Sequence, residues 1–138
     1  MQKLIATIAV ALALTGCATT PTPIADARSV PAERIYVTNP LPAQGNAQAT
    51  FVRDSGMFGG ALSLHVYVDG AKLASLDPGE SADLVIAPGE HILGVMPTNF
   101  LGAASLKSIE QNLKPNQRYF YRLLIDTSGQ ASIQRFVP

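Results

Sequence analysis

The chain has 138 residues, ten Lys plus Arg balanced by ten Asp plus Glu, and a hydrophobic fraction of 47%. That is enough for one domain of ordinary size and not for two. Balanced, scattered charge implies no basic face and argues against nucleic acid as a partner. The single cysteine, Cys17, excludes an internal disulfide, so the fold must hold by packing and hydrogen bonding.

Residues 1–16 read as an export signal: Lys3, an apolar segment from Leu4 to Leu14, then Thr15 and the small Gly16. An apolar segment of this length falls well short of the ~20 residues that a spanning helix needs. The tetrad Leu14-Thr15-Gly16-Cys17 resembles the bacterial lipobox. There the Cys thiol takes a diacylglyceryl group, and cleavage leaves that Cys as an acylated N-terminus. The resemblance implies a mature chain that begins at Cys17 and is tethered to membrane by palmitate-type acyl chains, whose burial at about 0.8 kcal/mol per methylene makes a durable anchor. Ala18 stands where an Asp would argue for inner-membrane retention, so the expected location is the outer membrane, facing the periplasm.

Residues 17–33 carry Pro21, Pro23 and Pro31 without apolar periodicity and read as the lipidated Cys followed by a flexible tether. Extended, the tether would reach roughly 50 Å at ~3.3 Å per residue. Residues 34–138 then alternate apolar and polar residues in short runs separated by Gly, Pro, Asn and Asp, which is an all-β pattern. Strands are expected at Arg34 to Thr38, Gln48 to Arg53, Leu62 to Val68, Ala71 to Leu76, Ala82 to Ala87, His91 to Met96, Leu106 to Asn112, Tyr119 to Asp126 and Ala131 to Val137.

Asp69-Gly70 between two alternating runs predicts a two-residue hairpin with a type I′ turn. Its register would set Val68 opposite Ala71, Tyr67 opposite Lys72, Val66 opposite Leu73 and His65 opposite Ala74. Ala87-Pro88-Gly89-Glu90 predicts a type II turn that folds Leu84-Val85-Ile86 back toward Ile92-Leu93. Leu113 to Tyr119 resembles the tyrosine corner of Greek-key sandwiches, in which a Tyr hydroxyl bonds upstream backbone where the chain changes sheets. Tyr119, Tyr121, Leu123 and Ile125 then share one strand face, and the strand after Gly129 closes the fold. The expected architecture is a single antiparallel Greek-key β-sandwich, immunoglobulin-like or transthyretin-like.

The succession Phe51 to Gly60, Val66-Tyr67-Val68-Asp69-Gly70, Pro88-Gly89-Glu90-His91 and Tyr119-Phe120-Tyr121 resembles a family of small bacterial lipoproteins of unknown function with PEGA-like sandwich domains. The resemblance covers Gln48 to Ile125 and implies export and a β-sandwich. It brings no catalytic residue with it. Between the first two expected strands, Pro40-Leu41-Pro42 departs from the family's usual pattern.

Asp54-Ser55-Gly56 matches the triplet of aspartic proteases, but that mechanism needs two such carboxylates sharing a proton, and Asp126-Thr127-Ser128-Gly129 has one residue too many. Turns account for both stretches. His65 and His91 lack a partner at metal-ligand spacing, so no metal or other cofactor is expected. No serine sits in a nucleophile elbow, and the glycines at 56, 59 and 60 precede no helix that could hold phosphate. The chain therefore reads as a non-enzyme.

Candidate contact residues are Met57 and Phe58 in the Gly-rich loop, Tyr67 on its strand, and Phe100 and Leu101 in the loop after Met96, because apolar loop tips on an exported sandwich can meet a partner. Folding inward as plugs of the core is the competing role for the loop residues. Three function classes follow. The first is an envelope interaction module that docks a protein through a sheet edge or loops. The second is a glycan or peptidoglycan binder that stacks sugars on Tyr67, Phe58 or Phe100, against which stands an aromatic content of 7% with no Trp. The third is an enzyme built from residues converging in a pocket. The first fits best, as a monomeric or weakly associating domain.

Overall fold

The computed structural model describes residues 19–36, 45–56, 59–98 and 104–138. The signal segment, Cys17, the Pro40-Leu41-Pro42 loop and the loop residues Met57, Phe58, Phe100 and Leu101 lie outside the described residues.

Strict alternation makes the strands and decides which face each side chain takes. In β3 (Leu64–Val68), Leu64, Val66 and Val68 are buried while His65 and Tyr67 stand on the opposite face. β5 (Glu80–Ile86) repeats the pattern with Ala82, Leu84 and Ile86 inside. The described residues form nine strands in two sheets. One sheet has the order β1-β5-β2-β8-β9, with β1 at Arg28–Ser29, β2 at Ala47–Arg53, β8 at Arg118–Ile125 and β9 at Ala131–Phe136. The other has the order β4-β3-β6-β7, with β4 at Ala71–Leu76, β6 at Gly89–Pro97 and β7 at Lys107–Leu113. The protein is an all-β sandwich, as its alternation predicts. Two pairings, β1 with β5 and β2 with β8, run parallel; the rest are antiparallel.

Phe51 and Tyr121 stack across neighbouring strands with ring centroids 5.1 Å apart. Leu64, Leu76, Leu93 and Leu123 are fully buried around them. Each such side chain contributes roughly 1.5–3 kcal/mol by leaving water. The tyrosine corner forms where the chain passes from β7 in one sheet to β8 in the other: the Tyr119 hydroxyl accepts the Lys114 N–H at 2.8 Å. Tyr119, Tyr121, Leu123 and Ile125 all face the core.

Four expectations are corrected. The stretch read as a flexible tether is bound to the sandwich from Thr20 onward. Thr20 exchanges backbone hydrogen bonds with Ser55, Asp54 Oδ1 accepts the Thr22 N–H at 3.0 Å, and β1 pairs with the edge of β5. These bonds need an open sheet edge and a carboxylate rather than apolar periodicity, which is why the composition of 17–33 conceals them. The expected strand from Arg34 begins instead as a 3₁₀ turn, Ala32–Arg34, followed by a lone bridge from Ile35 to Ala74 on β4. Arg34 binds Glu80 in a bidentate pair, both contacts at 2.8 Å, and that pair fixes the local backbone.

The Asp69-Gly70 turn has positive φ at both residues, as type I′ requires, and sets Val68 opposite Ala71 and Tyr67 opposite Lys72. Beyond them a bulge leaves Leu73 unpaired, so Val66 meets Ala74 and His65 meets Ser75, one residue from the expected register. Pro88-Gly89 does not close a hairpin, because β5 and β6 belong to different sheets and the turn carries the chain across the sandwich.

Candidate binding surface

Arg53 is 2% exposed at the end of β2, with its guanidinium donating to the carbonyls of Leu62, of Leu76 at 2.9 Å and of Gly59 at 2.8 Å. It ties β2 to β4 across the sandwich. Burial pushes its pKa down to about 10 against the opposing pull of Asp77 and Glu80, so it stays charged at neutral pH. Asp54 follows it in the protease-like triplet. Its carboxylate holds the Thr22 N–H and lies 3.6 Å from Arg122 Nε. Burial pushes its pKa up, with the Thr22 N–H and the Arg122 charge pulling the other way. Asp126 Oδ1 accepts the N–H groups of Ser128 and Gln130 and the Ser128 hydroxyl, which is the bonding of a turn. Both carboxylates of the protease-like stretches are therefore committed to backbone.

His91 is locked between Asp69 Oδ2 at 2.6 Å from Nδ1 and the Ala87 carbonyl at 2.7 Å from Nε2. The ring braces the Asp69 and Pro88 turns against each other. An open groove of about 540 Å³ beside it is lined by Asp69, Glu90, His91, Ile92, Glu110, Gln111 and Asn112. Among the described residues no group of three or more His, Cys, Asp or Glu is placed to hold a metal ion.

Tyr67 is the one candidate contact residue among the described residues, and the outer face of the four-stranded sheet builds a surface around it. Turn register sets Lys72 across from it, and β6 sets Gly94 across on the other side, where the Leu106 side chain lies over the glycine. His65, two residues back on the same face, meets Met96 of β6 and presents its ring edge-on to Tyr67 at 6.5 Å. Lys72 places Nζ 4.7 Å from the ring centre of Tyr36. The resulting groove, about 570 Å³ and open to solvent, is lined by His65, Tyr67, Lys72, Met96, Pro97, Thr98 and Ala104.

His65 is held below its ordinary pKa by burial and by the Lys72 charge, so it is neutral at physiological pH. Its Nδ1 is buried without a hydrogen-bond partner among the described residues. The Thr98 hydroxyl already accepts the Ser63 N–H at 3.0 Å. The surface therefore offers an aromatic ring, an ammonium and a thioether side by side.

Sequence reading found Tyr67 and its partner Lys72 but not Met96 or Thr98, which reach the groove only because β6 lies beside β3. A second aromatic pair, Phe120 and Phe136, sits 6.1 Å apart on the other sheet, with Arg122 stacked 4.8 Å from the Phe136 ring. Outward-facing aromatics at alternate positions of β8 and β9 were the available signal for it. Compared with protein-family models, curated proteins and solved structures, the chain shows no match.

Proposed function

We propose that the protein is an outer-membrane lipoprotein, anchored through acyl chains on Cys17 and facing the periplasm, that acts as a non-catalytic interaction module for an envelope protein. The observation that carries this reading is the open Tyr67 groove, where the Tyr67 and His65 rings, the Lys72 ammonium and the Met96 thioether lie side by side on the outer sheet face. The acidic and basic side chains elsewhere support it, since Arg34, Arg53, Asp54 and Glu80 are spent on tying segments of the fold together. A second reading, glycan or peptidoglycan binding, is favoured by the Tyr67 and Tyr36 rings on that same side of the sheet.

The test is crosslinking in living cells from a photoreactive amino acid at position 67, with captured species identified by mass spectrometry and the Cys17→Ser chain as control. One recurrent envelope protein that disappears with Cys17→Ser supports the module. Recovery of glycan alone transfers the groove to the second reading, and no adduct from position 67 overturns both uses of this face.

A further inference from the structure

The N-terminal segment leaves the sandwich at a defined place. Thr20 and Ser55 exchange backbone hydrogen bonds, the return bond from Ser55 N–H to Thr20 carbonyl being 3.0 Å, and the next anchor is Thr22 on Asp54. Cys17 lies three residues before Thr20. Even fully extended, three residues span at most about 10 Å. A lipid on Cys17 therefore cannot sit on a long leash; it holds the Ser55 end of the sandwich within about 10 Å of its own attachment point.

Strand register shows what shares that end. Arg53 pairs with Leu123, Leu64 with both Leu76 and Pro97, and Val95 with Lys107. The Arg53 guanidinium closes the end by gathering the carbonyls of Gly59, Leu62 and Leu76, and so turns inward. Leu106 remains 47% exposed there, lying over Gly94. The described flanks of the two apolar loop segments, Gly56 and Gly59 for one and Thr98 for the other, emerge at the same end. Asp69-Gly70, Pro88-Gly89 and the tyrosine corner all lie at the opposite end.

We propose that the Ser55 end is a membrane-contact surface, held against the headgroup region of the leaflet that takes the Cys17 acyl chains. The inference rests on the lipidation reading above. It replaces a domain lifted clear of the membrane with one standing upright on it, its Asp69 end directed into the periplasm and the Tyr67 groove opening sideways along the bilayer. Its occupant is lipid rather than protein because the anchor itself brings that end to the bilayer.

The chain contains no Trp, so a single introduced Trp reports its own surroundings. Acylated protein carrying Leu106→Trp or Glu90→Trp is reconstituted into phosphatidylethanolamine–phosphatidylglycerol vesicles with a headgroup-nitroxide lipid. The two positions are about 20 Å apart along the strands at ~3.3 Å per residue, and quenching is expected to be roughly threefold or more stronger at 106 than at 90. Inserting a long Gly-Ser linker between Ala18 and Thr19 is expected to erase the difference. Equal quenching of both in protein that carries labelled palmitate and floats with the vesicles overturns the membrane contact alone. Absence of palmitate from Cys17 overturns the lipidation reading and the contact with it.

Discussion

Lys114 donates its backbone N–H to the Tyr119 hydroxyl at 2.8 Å, closing the turn over which the chain leaves one sheet for the other. The Tyr119 ring is buried and Arg135 stacks 4.8 Å from its centre, so the hydroxyl is the part of the side chain with a directional task. Tyr119→Phe keeps the ring and removes the acceptor. Unfolding in urea is expected to show a loss of about 0.5–1.5 kcal/mol, the net value of one such bond. An unchanged midpoint would mean that water replaces the hydroxyl without cost.

Arg34 joins a segment with little apolar content to the sandwich through a carboxylate that is itself buried. Glu80 is 4% exposed and also accepts the Asp77 N–H at 2.7 Å, so removing Arg34 leaves its charge with only part of its compensation. Arg34→Ala is expected to cost about 3 kcal/mol, the low end for breaking a buried pair because Arg34 itself keeps some solvent contact. Glu33→Ala, next to it and exposed, is expected to change stability by less than about 0.5 kcal/mol. Amide exchange at Val30 and Tyr36 should quicken in the first variant and not in the second. Equal behaviour of the two would show that backbone pairing alone holds the segment.

These two residues mark how far the sequence could be read. Tyr119, the Asp69-Gly70 turn and the alternating core faces were legible because each depends on neighbours within a few residues. Arg34 with Glu80 and Thr20 with Ser55 were not, because their partners lie far along the chain and nothing local announces them. The bulge at Leu73 escaped for a different reason: one extra residue changes the pairing without disturbing the apolar pattern that register is read from. Pro88-Gly89 shows that turn chemistry fixes a reversal but does not say whether the two strands share a sheet. For the binding surface, Tyr67 and Lys72 came from the turn, whereas Met96 and Thr98 depend on the non-local pairing of β3 with β6.

Gly59 and Ile125 are in close approach at the Ser55 end. A Cβ at Gly59 would stand 2.6 Å from Ile125 Cδ1, and φ there is +70°. Gly70 has a similarly positive φ of +84° with nothing within 4 Å of its would-be Cβ. Gly70→Ala should therefore cost only the conformational penalty, about 1–2 kcal/mol, and Gly59→Ala about 1–3 kcal/mol more from overpacking. Adding Ile125→Val, which deletes Cδ1, is expected to recover part of the extra cost in Gly59→Ala. Denaturation midpoints that rank the two glycine variants equally would remove the steric argument.

Asp69 and Asp54 should give pH dependences of opposite sign. Burial acts to raise Asp69, but the Ile92 N–H at 2.8 Å, the His91 ring and its charge outweigh it and hold the carboxyl below its ordinary range. A depressed acid contributes stability that is present above its unfolded value, about pH 4, and is lost as pH falls through the folded one. Asp69→Asn should accordingly flatten part of the stability loss below about pH 4. Asp54 is raised, chiefly by burial, so folding favours its protonated form and its contribution declines as pH climbs from about 4 through its folded value. Asp54→Asn keeps an acceptor for the Thr22 N–H without the charge, and its stability relative to the parent should improve between about pH 4 and pH 7. Urea midpoints measured across that range for the parent and both variants give the two slopes directly. An Asp54→Asn curve parallel to the parent above pH 4 would mean that Arg122, 3.6 Å away, compensates the buried carboxylate in full.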